Sequence, residues 1–423
     1  MMSFDQAGTL IKSIPLTSCR AIALVLVMVG LGCFPAEAQQ RRSRSVTRAT
    51  SAQQDFNQLK SQADEAREAG RLEEAIPLYR RAVALRPNWV EGWWYLATLL
   101  YDRDQYSEAA GAFKRTATLQ PKVGAPWAML GLCEFRIGDY DNALKHIRQG
   151  RQIGLGDNQE LGRVVRYHEG VLLLLKGDFE TAQNIFGALS YDNVSYEELI
   201  IAHGLASLRI PMLPSQVKPD YRDRELIRRA GFAEHLAAQL NIGDAQQEFT
   251  RLVADYAQAP NVQYAYGKYL LKQRDDEGAI VAFQREIENS PQHALARLQI
   301  AYIRLRNKQA EAGLKLAEEA VRLHPRLPLG HYILGRIRFE MGDTAKAIEE
   351  LEIARRLAPN EPRVHFTLSR AYAKAGRKAE AEQARETFVR LSKLAEEAAA
   401  QGNVRGEAIE EPIEKNKPDL PPR

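Results

Sequence analysis

A step of 34 residues constrains this chain more than any other feature. Pro291, Pro325 and Pro359 stand at that spacing. Tyr264, Leu298, Tyr332 and Phe366 keep it, and so do Lys268, Tyr302, Arg336 and Arg370. Ala279, Gly313 and Ala347 form a third ladder. Gly267, Ala301, Gly335 and Ser369 form a fourth, and all four residues are small. A period of this length points to helical units stacked on their neighbours rather than to one globular core.

One unit can be read physically. The pattern predicts a first helix over Leu329–Met341 and a second over Thr344–Leu357. Gly342 breaks them, because glycine takes positive φ without a Cβ clash. Gly335 lies where the two helices approach closely, with Ala347 facing it. Leu351 and Ala354 continue the apolar stripe at helical spacing. Pro359 stops the second helix. Helices this short are marginal alone, so packing must hold them.

These residues carry a resemblance. The chain resembles tetratricopeptide repeat (TPR) proteins, whose 34-residue pattern reads W-x2-L-G-x2-Y, A-x3-F, P. Trp93, Leu96 and Ala97 are followed by Ala109, Phe113 and Pro121. Trp127, Leu130 and Gly131 are followed by Ala143 and Ile147, and His331, Leu334 and Gly335 by Ala347, Leu351 and Pro359. Phased matches run from Ala63 to Phe388, broken in one middle segment. The fold implied is an all-α, right-handed superhelical solenoid of antiparallel helix pairs with one irregular helical insertion.

The N-terminus has a different character. Lys12 and Arg20 precede the apolar run Ala21–Gly32, and Ala36-Glu37-Ala38 is a small-x-small site. That order predicts a secretory signal peptide over 1–38, and hence export to a periplasm or cell envelope; the run is too short to span a bilayer. Cys33 opens a second possibility, a lipid-anchored start, although Gly30 stands where a lipoprotein signal wants a large apolar residue. Membrane contact is expected only in that case. Cleavage after Ala38 removes Asp5, Lys12, Arg20 and Glu37, so the net charge stays at +4. That charge is too mild to argue for nucleic acid. Cys133 alone would remain, so no internal disulfide is expected, and a small buried hydrophobe is its expected role.

Residues 39–55 are polar, basic and aperiodic, and read as a flexible linker. An N-terminal repeat block follows over 56–189. Its third repeat starts at Gly124 and frays after Ile147, where Gly150, Gly154 and Gly156 replace the usual ending. Residues 190–228 break phase, with a helix over Ser195–Ile210 and a loop carrying Pro211, Pro214 and Pro219. A C-terminal block with a capping helix occupies 229–399. It begins with a degenerate pair, Glu225–Asn241 and Asp244–Tyr256, around Gly243. Residues 400–423 combine Gly402, four prolines and mixed charge, and are expected to be disordered. The apolar run Val171–Leu175 has no polar face and must be buried, either inside the chain or against a second copy.

Function in a repeat stack usually lies on its concave face. The resemblance implies that the residues after the Trp slot and after the small slot point there. Tyr264, Tyr302, Tyr332, Phe339 and Phe366 would then form an aromatic row beside the basic row Lys268, Arg306, Arg336 and Arg370. Such a surface suits a protein or peptide, acidic and partly apolar, with guanidinium groups on carboxylates and rings as anchors. The alternative is that rings and cations stack on one another as filler. The N-terminal groove around Trp94 and Phe135 is more apolar. The carboxylate clamp of chaperone-binding family members does not carry over, because Asp64 and Tyr95 stand where it needs Asn.

Signals for catalysis are missing. There is no HExxH, no Gly-rich phosphate loop after a strand and no GxSxG. The histidines show no metal-ligand spacing with one another or with Cys133. No cofactor or metal is expected, and oligomeric state is left open. The chain therefore reads as a non-enzymatic protein-interaction scaffold in an envelope assembly or secretion complex. The competing class is an enzyme whose site would lie in residues 190–228, recognisable as a cleft of converging ionisable groups.

Overall fold

The computed structural model describes residues 36–400, with side-chain surroundings for 51–397. Most of the expected signal segment, and all of the tail beyond Ala400, lie outside the described residues. The described residues form nineteen α-helices and one 3-10 turn, with no strand among them. Two compact units divide within one helix, at Glu169 and Gly170.

The first unit holds α1 (Ala36–Glu68), α2 (Leu72–Leu85), α3 (Val90–Asp102), α4 (Tyr106–Leu119), α5 (Gly124–Ile137) and α6 (Tyr140–Ile153). It also holds the start of α7 (Gln159–Leu175). Tyr79, Phe113 and Met129 are among its large, fully buried side chains. Residues 39–55, read as a flexible linker, are instead part of α1. The stretch contains no glycine or proline, and its four Gln and four Arg propagate a helix well. Gly150 does not end the third repeat either, because α6 continues to Ile153. A Cβ on Gly150 would lie 2.7 Å from the Ala128 backbone nitrogen, so this glycine serves a close helix crossing. Cys133 is fully buried, and burial pushes its thiol pKa up.

The second unit starts with the end of α7. Val171, Leu172, Leu173 and Leu174 are buried within this single chain. There follow α8 (Phe179–Tyr191), α9 (Glu197–Ser207), the turn at Pro214–Gln216, α10 (Arg224–Ala238) and α11 (Ile242–Asp255). The expected breaker Gly243 lies inside α11, and Leu240 takes the left-handed turn conformation with φ of 61°. Four regular pairs complete the unit: α12 (Val262–Lys272) with α13 (Asp276–Asn289), α14 (Ala294–Arg306) with α15 (Ala310–Leu323), α16 (Pro328–Glu340) with α17 (Thr344–Leu357), and α18 (Pro362–Lys374) with α19 (Lys378–Ala400). Within these four pairs each helix packs on the next along the chain, and α14, α16 and α18 also meet one another in sequence. This is the nearest-neighbour logic of a repeat stack.

Local chemistry explains the regular pairs. Leu298, Ala301, Ile337, Ala347, Leu351 and Ala354 are fully buried in one continuous core. A Cβ on Gly335 would approach Leu351 Cγ to 2.7 Å, so the small ladder sets the helix spacing. Arg274, Lys308, Gly342 and Gly376, each 34 residues apart, take positive φ between paired helices. The Trp slot works through a hydrogen bond. Trp93 and Trp127 donate Nε1–H to the carbonyls of Pro87 and Pro121. His331 Nε2 lies 2.9 Å from the Pro325 carbonyl and His365 Nε2 2.9 Å from that of Pro359. Histidine thus replaces tryptophan as donor to the last residue of the preceding repeat.

Candidate partner-binding face

The first helices α14, α16 and α18 place their face residues four positions apart, which aligns them on one side of each helix. Arg336 stands 5.9 Å from the Tyr302 ring and 5.7 Å from the Tyr332 ring. Arg370 stands 5.2 Å from Phe339 and 5.9 Å from Phe366. Lys374, which the sequence reading did not include, lies 5.1 Å from the same Phe339 ring. The structure therefore brings Tyr302, Tyr332, Arg336, Phe339, Phe366 and Arg370 into one row and adds Lys374.

Burial divides this row into two layers. Tyr302, Tyr332 and Phe339 are buried, Arg336 is half-buried, and Arg370 and Lys374 are exposed. Rings form the floor and cations lie above them. Each such contact contributes about 0.5–1 kcal/mol at an exposed site. Part of the row thus does what filler would do, because the rings belong to the core. Among the described residues, Arg370 and Lys374 make no ion pair with a carboxylate.

Three expected residues go elsewhere. Arg306 forms an ion pair with Asp276 of α13, which also accepts from Asn307 Nδ2 at 3.0 Å. Burial raises the Asp276 pKa, but the bonds from Arg306 and Asn307 outweigh it and hold the carboxyl below the usual range. Tyr264 packs on Phe283 and His293, with ring centroids 5.6 and 4.8 Å away. Its backbone N–H donates to the buried Glu286, 3.2 Å away, which also accepts from the Asn261 N–H. Lys268 acts on Glu180. Burial pushes Glu180 up, but the charges of Lys268 and Arg209 prevail and keep it ionised. Arg209, which pairs with Glu180 and stacks 4.7 Å from Phe179, carried no repeat signal.

The apolar alternative in the first unit is also occupied by its own fold. Trp94 is buried against Phe113 at 5.4 Å, and Phe135 meets His168 edge-on at 4.7 Å. Asp64 pairs with Lys60 at 2.6 Å and accepts from Tyr79 Oη at 2.5 Å.

The irregular segment holds a different constellation. Ser190 Oγ lies 2.9 Å from His203 Nε2 and 2.7 Å from His235 Nδ1. One hydroxyl making both bonds donates to one ring and accepts from the other. Ser190, His203 and His235 are 0%, 1% and 3% exposed, so ionisable groups converge here without a cleft. Burial, with the charges of His235 and Lys272 adding to it, pushes His203 down to about 3. Among the described residues no group of three or more His, Cys, Asp or Glu is placed to hold a metal, and no helix is long and apolar enough to cross a membrane.

Paired helices at a 34-residue step, with a row of cations over rings on their first helices, define a helical-repeat binding protein. A family model described as tetratricopeptide repeat matches residues 61–124, 96–154, 231–294, 298–362 and 332–396, together more than half of the chain. The chain belongs to the tetratricopeptide repeat family, and it is a protein–protein interaction scaffold. The general transcriptional corepressor trfA of Dictyostelium discoideum is 28% identical over 136 residues, which span 30% of this chain and only 9% of that protein. MamA from Desulfovibrio magneticus RS-1 superimposes with a TM-score of 0.35 and 21% identity, covering 41% of this chain and 96% of that one. The APC/C hetero-tetramer Cut9–Hcn1 gives a TM-score of 0.37 and 13% identity, covering 80% and 87%. Superpositions this loose bear no functional weight, and family membership rests on the repeat match.

Proposed function

We propose that the row on α14, α16 and α18 holds an acidic, partly apolar segment of a protein partner. One observation carries this: Arg370 and Lys374 stand exposed over aromatic rings, beside Arg336, with no carboxylate of their own. A guanidinium held over a ring can grip a carboxylate at two points, which lysine cannot reproduce. The neighbouring rings supply apolar contact. The charged start, apolar run and Ala36-Glu37-Ala38 of the N-terminal segment support export, which would set this scaffold in an envelope assembly or secretion complex.

Arg336→Glu and Arg370→Glu each test the face. Binding of a fluorescent acidic peptide should weaken by about 2–5 kcal/mol if the pair is desolvated. Melting of the Arg370→Glu chain should fall only slightly, by the about 0.5–1 kcal/mol that each exposed cation–ring contact contributes. Unchanged binding in both variants would remove the site from this face. Export is decided by intact mass: a chain starting at Gln39 supports it, and a lipid-modified start at Cys33 places the scaffold on a membrane instead.

A further inference from the structure

We propose that the resting occupant of this face is the chain's own segment 407–414, bound in cis. The inference rests on the reading of the face as a site for acidic peptides. Glu407-Ala-Ile-Glu-Glu-Pro-Ile-Glu414 carries four glutamates and no basic residue. Ile409 and Ile413 give it the apolar component. The nearest cations, Arg405 and Lys415, lie outside it. Its charge is therefore complementary to Arg336, Arg370 and Lys374, and its apolar residues suit the ring floor.

Chain length permits the contact. Helix α19 spans 23 residues, or about 33 Å at 1.5 Å per residue. It starts four residues after Lys374, so its far end is about that distance from the exposed cations. Residues 401–414 can reach about 46–50 Å when extended, at roughly 3.3–3.6 Å each. A chain that leaves Ala400 and doubles back along α19 therefore brings Glu410, Glu411 and Glu414 to the end of α18, since residue 410 is the first whose reach, about 33–36 Å, matches that distance. Tethering keeps the segment at high effective concentration, so even weak intrinsic affinity gives substantial occupancy. An external acidic partner must then displace it.

Two measurements on the full chain decide. Zero-length carbodiimide coupling is run on an equal mixture of heavy- and light-isotope chains. Lys374 should join a glutamate of 407–414 within single-isotope molecules. Mixed-isotope products would assign the face to a second copy, and no product at these residues would remove the segment; either result overturns the proposal. In the second measurement, a fluorescent peptide of residues 404–417 is titrated into the wild type and into a chain with Glu407, Glu410, Glu411 and Glu414 all changed to Gln. The variant should bind about tenfold tighter if the segment fills the site nine-tenths of the time. Adding Arg370→Glu and Lys374→Glu should abolish that gain. Equal affinity of both chains overturns self-occupancy and leaves the acidic-peptide site standing. No binding by either chain overturns both.

Discussion

The regular pairs α14–α19 and the segment α8–α10 belong to one unit but are held together differently. In the regular pairs a small residue faces an aliphatic side chain, as Gly335 faces Leu351. One pair earlier the small residues themselves meet, a Cβ on Gly313 lying 2.9 Å from the Ala301 carbonyl oxygen. In α8–α10 two glycines let backbones cross: a Cβ on Gly231 would fall on the Ile200 carbonyl oxygen, and one on Gly204 on that of Ile227. Buried polar groups, Ser190, His203 and His235, accompany buried aliphatic side chains such as Leu199, Ile201 and Leu205. A periodic interface is redundant and forgiving, whereas this segment depends on single residues. It should be the more fragile region, and its buried histidines should make it sensitive to acid.

The largest test uses two glycines. Gly231→Ala drives a methyl into backbone that cannot yield, and should destabilise by about 3 kcal/mol, the upper end for overpacking. Gly335→Ala meets the Leu351 side chain, which can rotate away, and should cost only about 1–2 kcal/mol. Denaturant unfolding with hydrogen exchange measures both. Equal losses would erase the distinction between the two regions.

The second test is pH. His203 is neutral in the fold because burial pushes it down to about 3, against 6.5 in the unfolded chain. Between those values the unfolded state binds more protons, so stability rises with pH and falls on acidification. At pH 5 the loss should be about 2 kcal/mol, at 1.36 kcal/mol per pH step below 6.5. Exchange in α8–α10 should accelerate accordingly, and a His203→Gln chain should lose part of that dependence, the rest coming from His235, which burial also lowers. His331 sharpens the contrast. Burial lowers its pKa, but the Glu350 carboxylate 2.7 Å from Nδ1 and the Pro325 carbonyl outweigh this and raise it. Its contribution is complete below pH 6.5 and is lost as pH rises through the folded pKa. His331→Gln should therefore cost more at pH 6 than at pH 9, the opposite sign to His203. Slopes of the same sign at both sites would break the comparison.

The smallest effect concerns the turns. Lys308 holds φ of 60° where the next repeat has Gly342 at 88°. A left-handed conformation strains any residue with a Cβ. Lys308→Gly should raise stability by about 0.5 kcal/mol, the strain relief being partly offset by the greater freedom of glycine in the unfolded chain. Gly342→Ala should lower it by about 1 kcal/mol. Thermal melts of the two chains check the pair of signs.

The 34-residue pattern alone determined the helix pairs, the small ladder and the bounds of elements such as α17, which runs Thr344–Leu357 as read. The family resemblance, laid over that pattern, also implied most of the cation–aromatic row, because it puts the residues after the Trp slot and the small slot on one face. Those features are local or recur at fixed intervals, so a single sequence displays them. Tertiary structure decided the rest. Arg306 is drawn to Asp276, 30 residues earlier, and Lys268 acts on Glu180; neither pairing has a period. Ser190 meets His235 across 45 residues. Gly231 approaches Ile200 only because α9 and α10 cross closely, and nothing in the spacing marks that crossing. Lys374 could have been found two steps along the ladder from Arg306, but Glu340 interrupts the charge between them. Periodicity reports which surfaces pack; it does not report which polar partner a side chain meets once they have packed.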